Sequence, residues 1–149
     1  MRKSFLNKCA GALLLVLWIT GCIPRYENLA SGPSATLAFQ FPSGFEGLIT
    51  RAGIAEAESC LGLKLHRGKD PAIVPVGKPL FIVQGWEGVT GGGCKISYSF
   101  TPIEGEKYIS EFITRRNQCE LKLMRMLPNG STVSEASATK WSRPYCVNM

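Results

Sequence analysis

The chain has a single histidine, His66, and a single aspartate, Asp70. That scarcity argues against hydrolytic chemistry, which leans on histidine or on paired carboxylates as acid and base. No Cys-x-x-Cys pair occurs, and the cysteine spacings look unlike those of zinc fingers. Clustered basic residues are missing too. The densest group is Arg115-Arg116 in a turn-like stretch, so the basic stripe of a nucleic-acid-binding surface is absent and no nucleic-acid partner is expected. A long stretch of helical period is also wanting, which leaves an all-β chain as the expectation.

What is present begins with three zones at the N-terminus. Arg2, Lys3 and Lys8 make a positive lead, and Cys9 to Ile19 is an uncharged apolar run. A membrane span needs roughly 20 apolar residues, so this shorter run reads as the core of a signal peptide. Ile19-Thr20-Gly21-Cys22 closes it. These four residues resemble the lipobox of bacterial lipoproteins: an aliphatic residue, a small one, Gly or Ala, then Cys. The resemblance implies a signal peptide over 1–21, cleavage before Cys22, and two or three acyl chains on Cys22. Each buried methylene contributes about 0.8 kcal/mol, so several chains anchor far more firmly than one. The next residue is Ile23. In the enterobacterial sorting pattern an Asp there retains a lipoprotein in the inner membrane. Its absence implies the outer membrane, with the domain facing the periplasm.

Cleavage removes three of the 17 cations and lowers the net charge from +6 to about +3. The remaining chain is one domain's worth. Residues 22–34 read as the lipidated N-terminus and a tether rich in Pro, Ser and Gly, and 35–149 as the folded domain.

Cys9 leaves with the signal peptide. Cys60, Cys94, Cys119 and Cys146 remain for the domain, and an even number in an exported protein implies disulfides. Cys94 and Cys119 each fall on the apolar face of a strand, whereas Cys60 and Cys146 lie in less regular segments. The expected pairing is therefore sequential, Cys60 with Cys94 and Cys119 with Cys146. The nested set, Cys94–Cys119 with Cys60–Cys146, and the crossed set stay open.

Period-two alternation marks the strands. Ala35–Phe41 puts Leu37, Phe39 and Phe41 on one face, and Pro79–Gln84 is a short apolar run. From Cys94, one face carries Ile96, Tyr98 and Phe100. Tyr108–Thr114 and Cys119–Met126 follow, the latter with Cys119, Leu121 and Leu123 on one side. Turn residues separate these runs: Gly91-Gly92-Gly93, residues 102–106, Arg116-Asn117-Gln118 and Asn129-Gly130. The expected fold is a small antiparallel β-sandwich of about seven strands, immunoglobulin-like or transthyretin-like, stapled by two disulfides. Gly53–Leu61, with its Ala and Glu, is expected as a short helical turn or a loop that carries Cys60.

The pattern VPVGKPL at 74–80, Cys94, SFTPIEGEKY at 99–108, Cys119 and Cys146 resembles a group of small, uncharacterised bacterial lipoproteins. Phe100, Pro102, Gly105 and Tyr108 carry the resemblance together with the cysteines. It implies compartment and fold and brings no catalytic residue with it.

Candidate sites have bland readings beside them. Glu104 and Glu106 flank Gly105 in a hairpin-like loop, where an exposed turn explains them. His66 has no triad partners nearby, and Asp70 before Pro71 suits turn initiation. The triple glycine leads into a strand, so it is no phosphate cradle, which must open a helix. Asn129-Gly130-Ser131 reads as a turn. Trp86, in a Gly-rich stretch, is either a core plug or the contact residue of an exposed loop. The function expected is a non-catalytic, membrane-anchored binding or structural module without a cofactor, its partner an envelope protein or a cell-wall component. The alternative is a periplasmic enzyme inhibitor or, behind it, an enzyme.

Overall fold

The structure, a computed structural model, is described for residues 23–29, 31–43, 49–55, 62–67, 69–88, 92–115 and 118–141. Residues 1–21, expected as a signal peptide, and Cys22, Cys60 and Cys146 lie outside these residues.

Ten strands occur among them: β1 Ser34–Gln40, β2 Ile49–Ala55, β3 Lys64–His66, β4 Ala72–Pro75, β5 Leu80–Glu87, β6 Gly93–Phe100, β7 Lys107–Arg115, β8 Gln118–Met126, β9 Thr132–Ser134 and β10 Thr139–Trp141. They form two five-stranded sheets. The first runs β4-β1-β7-β8-β9 and the second β10-β6-β5-β2-β3. Seven strands were expected. The additional ones are mostly three or four residues long, too short for alternation to register. Gly53–Ala55, expected in a helical turn or loop, is instead the end of β2, paired with Ile82 and Phe81 of β5 through Ile54 and Ala55.

The second sheet is antiparallel throughout. The first is mixed, because β1 runs parallel to β7 with Leu37 opposite Tyr108. This corrects the expectation of an antiparallel fold. Alternation within a strand is the same for either direction of its neighbour, and the long chain between β1 and β7 makes a parallel pair feasible.

Both sheets contribute to one core. Leu37, Val74 and Leu121 come from the first, and Ile54, Ile82 and Phe100 from the second. Each is nearly or fully buried, and such burial contributes about 1.5–3 kcal/mol per large apolar side chain. The alternation read from the sequence holds where it was legible. Ile96 and Phe100 of β6, and Leu121 and Leu123 of β8, all face inward.

A single disulfide joins the two sheets among the described residues: Cys94 of β6 to Cys119 of β8, Cα atoms 6.2 Å apart. The expected Cys60–Cys94 and Cys119–Cys146 pairs are thereby corrected. Both cysteines do point inward as read, but from opposite sheets, so they meet each other across the core.

Residues 101–106 are not a hairpin loop. They cross from β6 of the second sheet to β7 of the first. Gly105 takes the left-handed conformation, φ 75°, and its N–H donates to the Ser34 carbonyl at 2.9 Å. The buried Tyr108 stacks at a tilt on Phe100, centroids 4.9 Å apart. Its hydroxyl accepts the Ile103 N–H at 3.1 Å, which pins the crossing.

Candidate functional site

Residues 23–29 (IPRYENL) were expected as part of a loose tether, yet they lie along the edges of both sheets. Strands β3 and β4 are edge strands of different sheets, joined by a short connection. An edge strand leaves a row of N–H and C=O groups without partners, and the N-terminal segment supplies them. The Pro24 carbonyl accepts the Leu65 N–H at 2.8 Å, and the Tyr26 N–H donates to the Leu65 carbonyl at 2.8 Å. Arg25 thus bridges Leu65 in parallel. Two residues on, the Asn28 side-chain oxygen accepts the Ile73 N–H at 2.9 Å. The Tyr26 hydroxyl donates to the Ile73 carbonyl at 2.8 Å. One short segment therefore clasps β3 to β4. Its first side chain, Ile23, packs with Leu63 against Leu65 and Val83 on the outer side of the second sheet.

Where the clasp passes the 66–71 connection there is a cleft of about 390 Å³, lined by Arg25, Glu27, His66, Arg67 and Asp70 among others. Its charges are mixed. One Arg25 guanidinium nitrogen donates to the Arg67 carbonyl at 3.2 Å. The His66 Nε2 is engaged with the Asp70 carbonyl at 2.9 Å, and its ring lies 5.3 Å from that of Phe39. A carbonyl can only accept, so Nε2 is the donor in this contact. The Glu104 and Glu106 pair sits in the crossing between sheets, with Glu104 exposed. No group of three metal-ligating side chains occurs among the described residues.

Trp86 is a strand residue rather than part of a loop. It sits in β5 opposite Cys94, on the same side as the core residues Leu80 and Ile82. It is half-buried there.

A charged group missed in the sequence lies on the outer side of the second sheet. Glu87 receives Lys95 at 3.1 Å and faces Arg51 at 3.7 Å. The Lys95 hydrogen bond, then its charge, then that of Arg51 hold the Glu87 carboxyl below its usual range. Three strands bring these side chains together, and no sequence spacing announces that.

Comparison with family models, curated proteins and solved structures finds no match for the chain.

Proposed function

We propose that the protein is a bacterial envelope lipoprotein, acylated at Cys22 and held at the outer membrane, whose β domain is a non-catalytic binding or structural module facing the periplasm. The observation that carries this reading is the junction Ile19-Thr20-Gly21-Cys22 after a basic lead and a short apolar run. The place of Ile23 supports it, because the residue that would follow the lipidated cysteine is already seated on the domain. The cleft under the clasp supports binding better than turnover, since its histidine nitrogen is bound to a carbonyl and its lining is guanidinium, carboxylate and amide. An envelope protein or a cell-wall component is the partner class.

We read the two-sheet architecture as an immunoglobulin-like sandwich with two disulfides. In that architecture a tryptophan sits beside a disulfide between the sheets, and a tyrosine hydroxyl ties a corner to the backbone. Trp86 opposite Cys94, the Cys94–Cys119 bond and the Tyr108–Ile103 contact support the reading. With Cys94 and Cys119 joined and Cys22 acylated, Cys60 and Cys146 are left for each other.

Mass spectrometry of the protein extracted from membranes tests the anchor. A first residue of lipid-modified Cys22 is expected, and Cys22→Ser releases the chain from membranes or leaves it unprocessed. A soluble mature protein that starts elsewhere overturns the proposal.

A further inference from the structure

We propose that residues 23–29 are a releasable strap: they leave the β3 and β4 edges as one unit while both sheets stay closed, and their release lengthens the tether between Cys22 and the domain. The strap is read from the structure alone, whereas its action as a tether rests on the lipoprotein reading.

The strap has a defined end. At Ser34 the chain enters β1, where it pairs with Pro75 of β4, and the Ser34 carbonyl accepts the Gly105 N–H at 2.9 Å. From Thr36 onward β7 adds a second ladder. Between strap and strand, Ser31, Gly32 and Pro33 are exposed. Gly32 has φ 101°, and nothing stands within 4 Å of where its Cβ would be. A left-handed glycine in open surroundings allows a change of chain direction at no steric cost. Segment 23–29 therefore meets β1 at a point where the two are free to part.

Its attachment is shallow compared with that of the strands it joins. The hydrogen bonds described above reach main-chain atoms of Leu65, Arg67 and Ile73. Pro24, Arg25, Glu27, Asn28 and Leu29 are exposed, and Ile23 and Tyr26 are half-buried. By contrast Leu37 of β1, Val74 of β4 and Ile82 of β5 are fully buried. Local opening costs least where backbone hydrogen bonds lie near solvent and buried apolar contacts are few. Edge N–H and C=O groups uncovered by a departing strap are met by water, and the core beneath them is untouched.

Docked, the strap places a lipidated Cys22 one residue from Ile23, whose side chain packs with Leu65 and Val83. Released, residues 23–33 become the tether and span up to about 40 Å. The cleft changes with it. Residues 25–28 and the 66–71 connection line it together, so it exists only while the strap is docked. A ligand that touches both parts favours the docked state and keeps the domain close to the membrane.

Residue-resolved hydrogen exchange of the full-length protein in detergent micelles tests the strap. The Leu65 N–H donates to the Pro24 carbonyl and the Ile73 N–H to the Asn28 side chain. Both are expected to exchange about 100-fold faster than the Val83 N–H of the central strand β5. Tyr26→Phe keeps the ring and drops the hydroxyl's bond to the Ile73 carbonyl. It should speed Leu65 and Ile73 alike, by about fivefold, the worth of one net hydrogen bond, and leave Val83 unchanged. If Ile73 speeds up while Leu65 does not, or if both exchange as slowly as Val83, no strap opens as a unit and the inference is wrong. Tyr26→Pro removes the N–H, the hydroxyl and the ring together and should hold the strap off with Val83 still protected. Loss of Val83 protection in that variant would show the segment to be part of the core fold instead. In vesicles, energy transfer from a dye on Ser134→Cys to acceptor headgroups should be weaker with Tyr26→Pro than without it. Unchanged transfer beside fast Leu65 exchange would overturn the lengthening. A protein that does not float with vesicles would sink the lipoprotein reading and the tether with it, while the exchange rates still decide the strap.

Discussion

Gln84 and Ser110 hydrogen-bond across the core: the Ser110 hydroxyl donates to the Gln84 side-chain oxygen at 2.7 Å, and both residues are fully buried. Gln84 belongs to the second sheet and Ser110 to the first. The Gln84 side-chain N–H completes the arrangement by donating to the Gln40 carbonyl at 2.8 Å. Ser110→Ala leaves the Gln84 oxygen without its donor, so a loss of about 1–3 kcal/mol is expected. Replacing both residues in Gln84→Leu/Ser110→Ala removes the orphaned groups together. The double variant should therefore be less destabilised than the sum of the singles, by about 1 kcal/mol. Urea midpoints of the four proteins measure this, and strict additivity would show that the pair is uncoupled.

The Cys94–Cys119 bond closes a sequence separation of 25 residues. A loop of that size corresponds to about 3.5 kcal/mol of unfolded-state freedom in the chain-entropy account. Cys94→Ala/Cys119→Ala is expected to lose roughly that much, read as a lower denaturant midpoint. Non-reducing peptide mapping should return a Cys94–Cys119 linked peptide, and a Cys60–Cys94 peptide would count against the structure.

Burial lifts the Tyr108 phenol above its ordinary value, and the nearby Glu135 and Glu106 add to that against the hydrogen bond from Ile103. Tyr98 is raised in the same direction, first by burial and then by Glu120. A group whose folded value is raised contributes fully below its unfolded pKa and loses that contribution as pH rises further. The domain should accordingly weaken above about pH 10, where an unfolded tyrosine ionises. Tyr108→Phe keeps the ring on Phe100 but drops the contact to Ile103, and is expected to cost about 1 kcal/mol at neutral pH. That deficit should narrow as pH climbs past the tyrosine range, because the variant has one fewer phenol to ionise. Urea midpoints at neutral and alkaline pH would show it, and a deficit that widens would contradict it.

Gly85 stands inside β5 because of what faces it. A Cβ there would press on the Cys94 carbonyl oxygen and sit 2.8 Å from the Lys95 Cγ. The side-chain contact can move, but the carbonyl belongs to the sheet. Gly85→Ala is therefore expected to lower stability by about 1–3 kcal/mol, visible as a drop in thermal midpoint. Adding Lys95→Ala should recover little of it, since the backbone contact persists.

Alternation carried much of this fold in plain sight. The faces of β1, β6 and β8 were readable because a strand's side chains point to opposite sides with a period of two, and so was the inward direction of Cys94 and Cys119. The candidate-site residues were less legible. His66 and Trp86 are visible as residue types, but the His66–Asp70 contact, the place of Trp86 beside Cys94 and the Arg51–Glu87–Lys95 group depend on register between strands. A residue's own period says which way it faces and nothing about what stands opposite. That is why two inward cysteines were assigned to different bridges when they belong to one. The short strands β3, β4, β9 and β10 offered three or four residues each, too few to distinguish a pattern from chance. Residues 23–29 read as tether because Pro, Asn and a lone Ile give no periodicity. Their order comes from backbone and side-chain hydrogen bonds to the main chain of Leu65 and Ile73. Those exist only once two edge strands from separate sheets lie side by side, a condition set by the packed chain and not by any local run of residues.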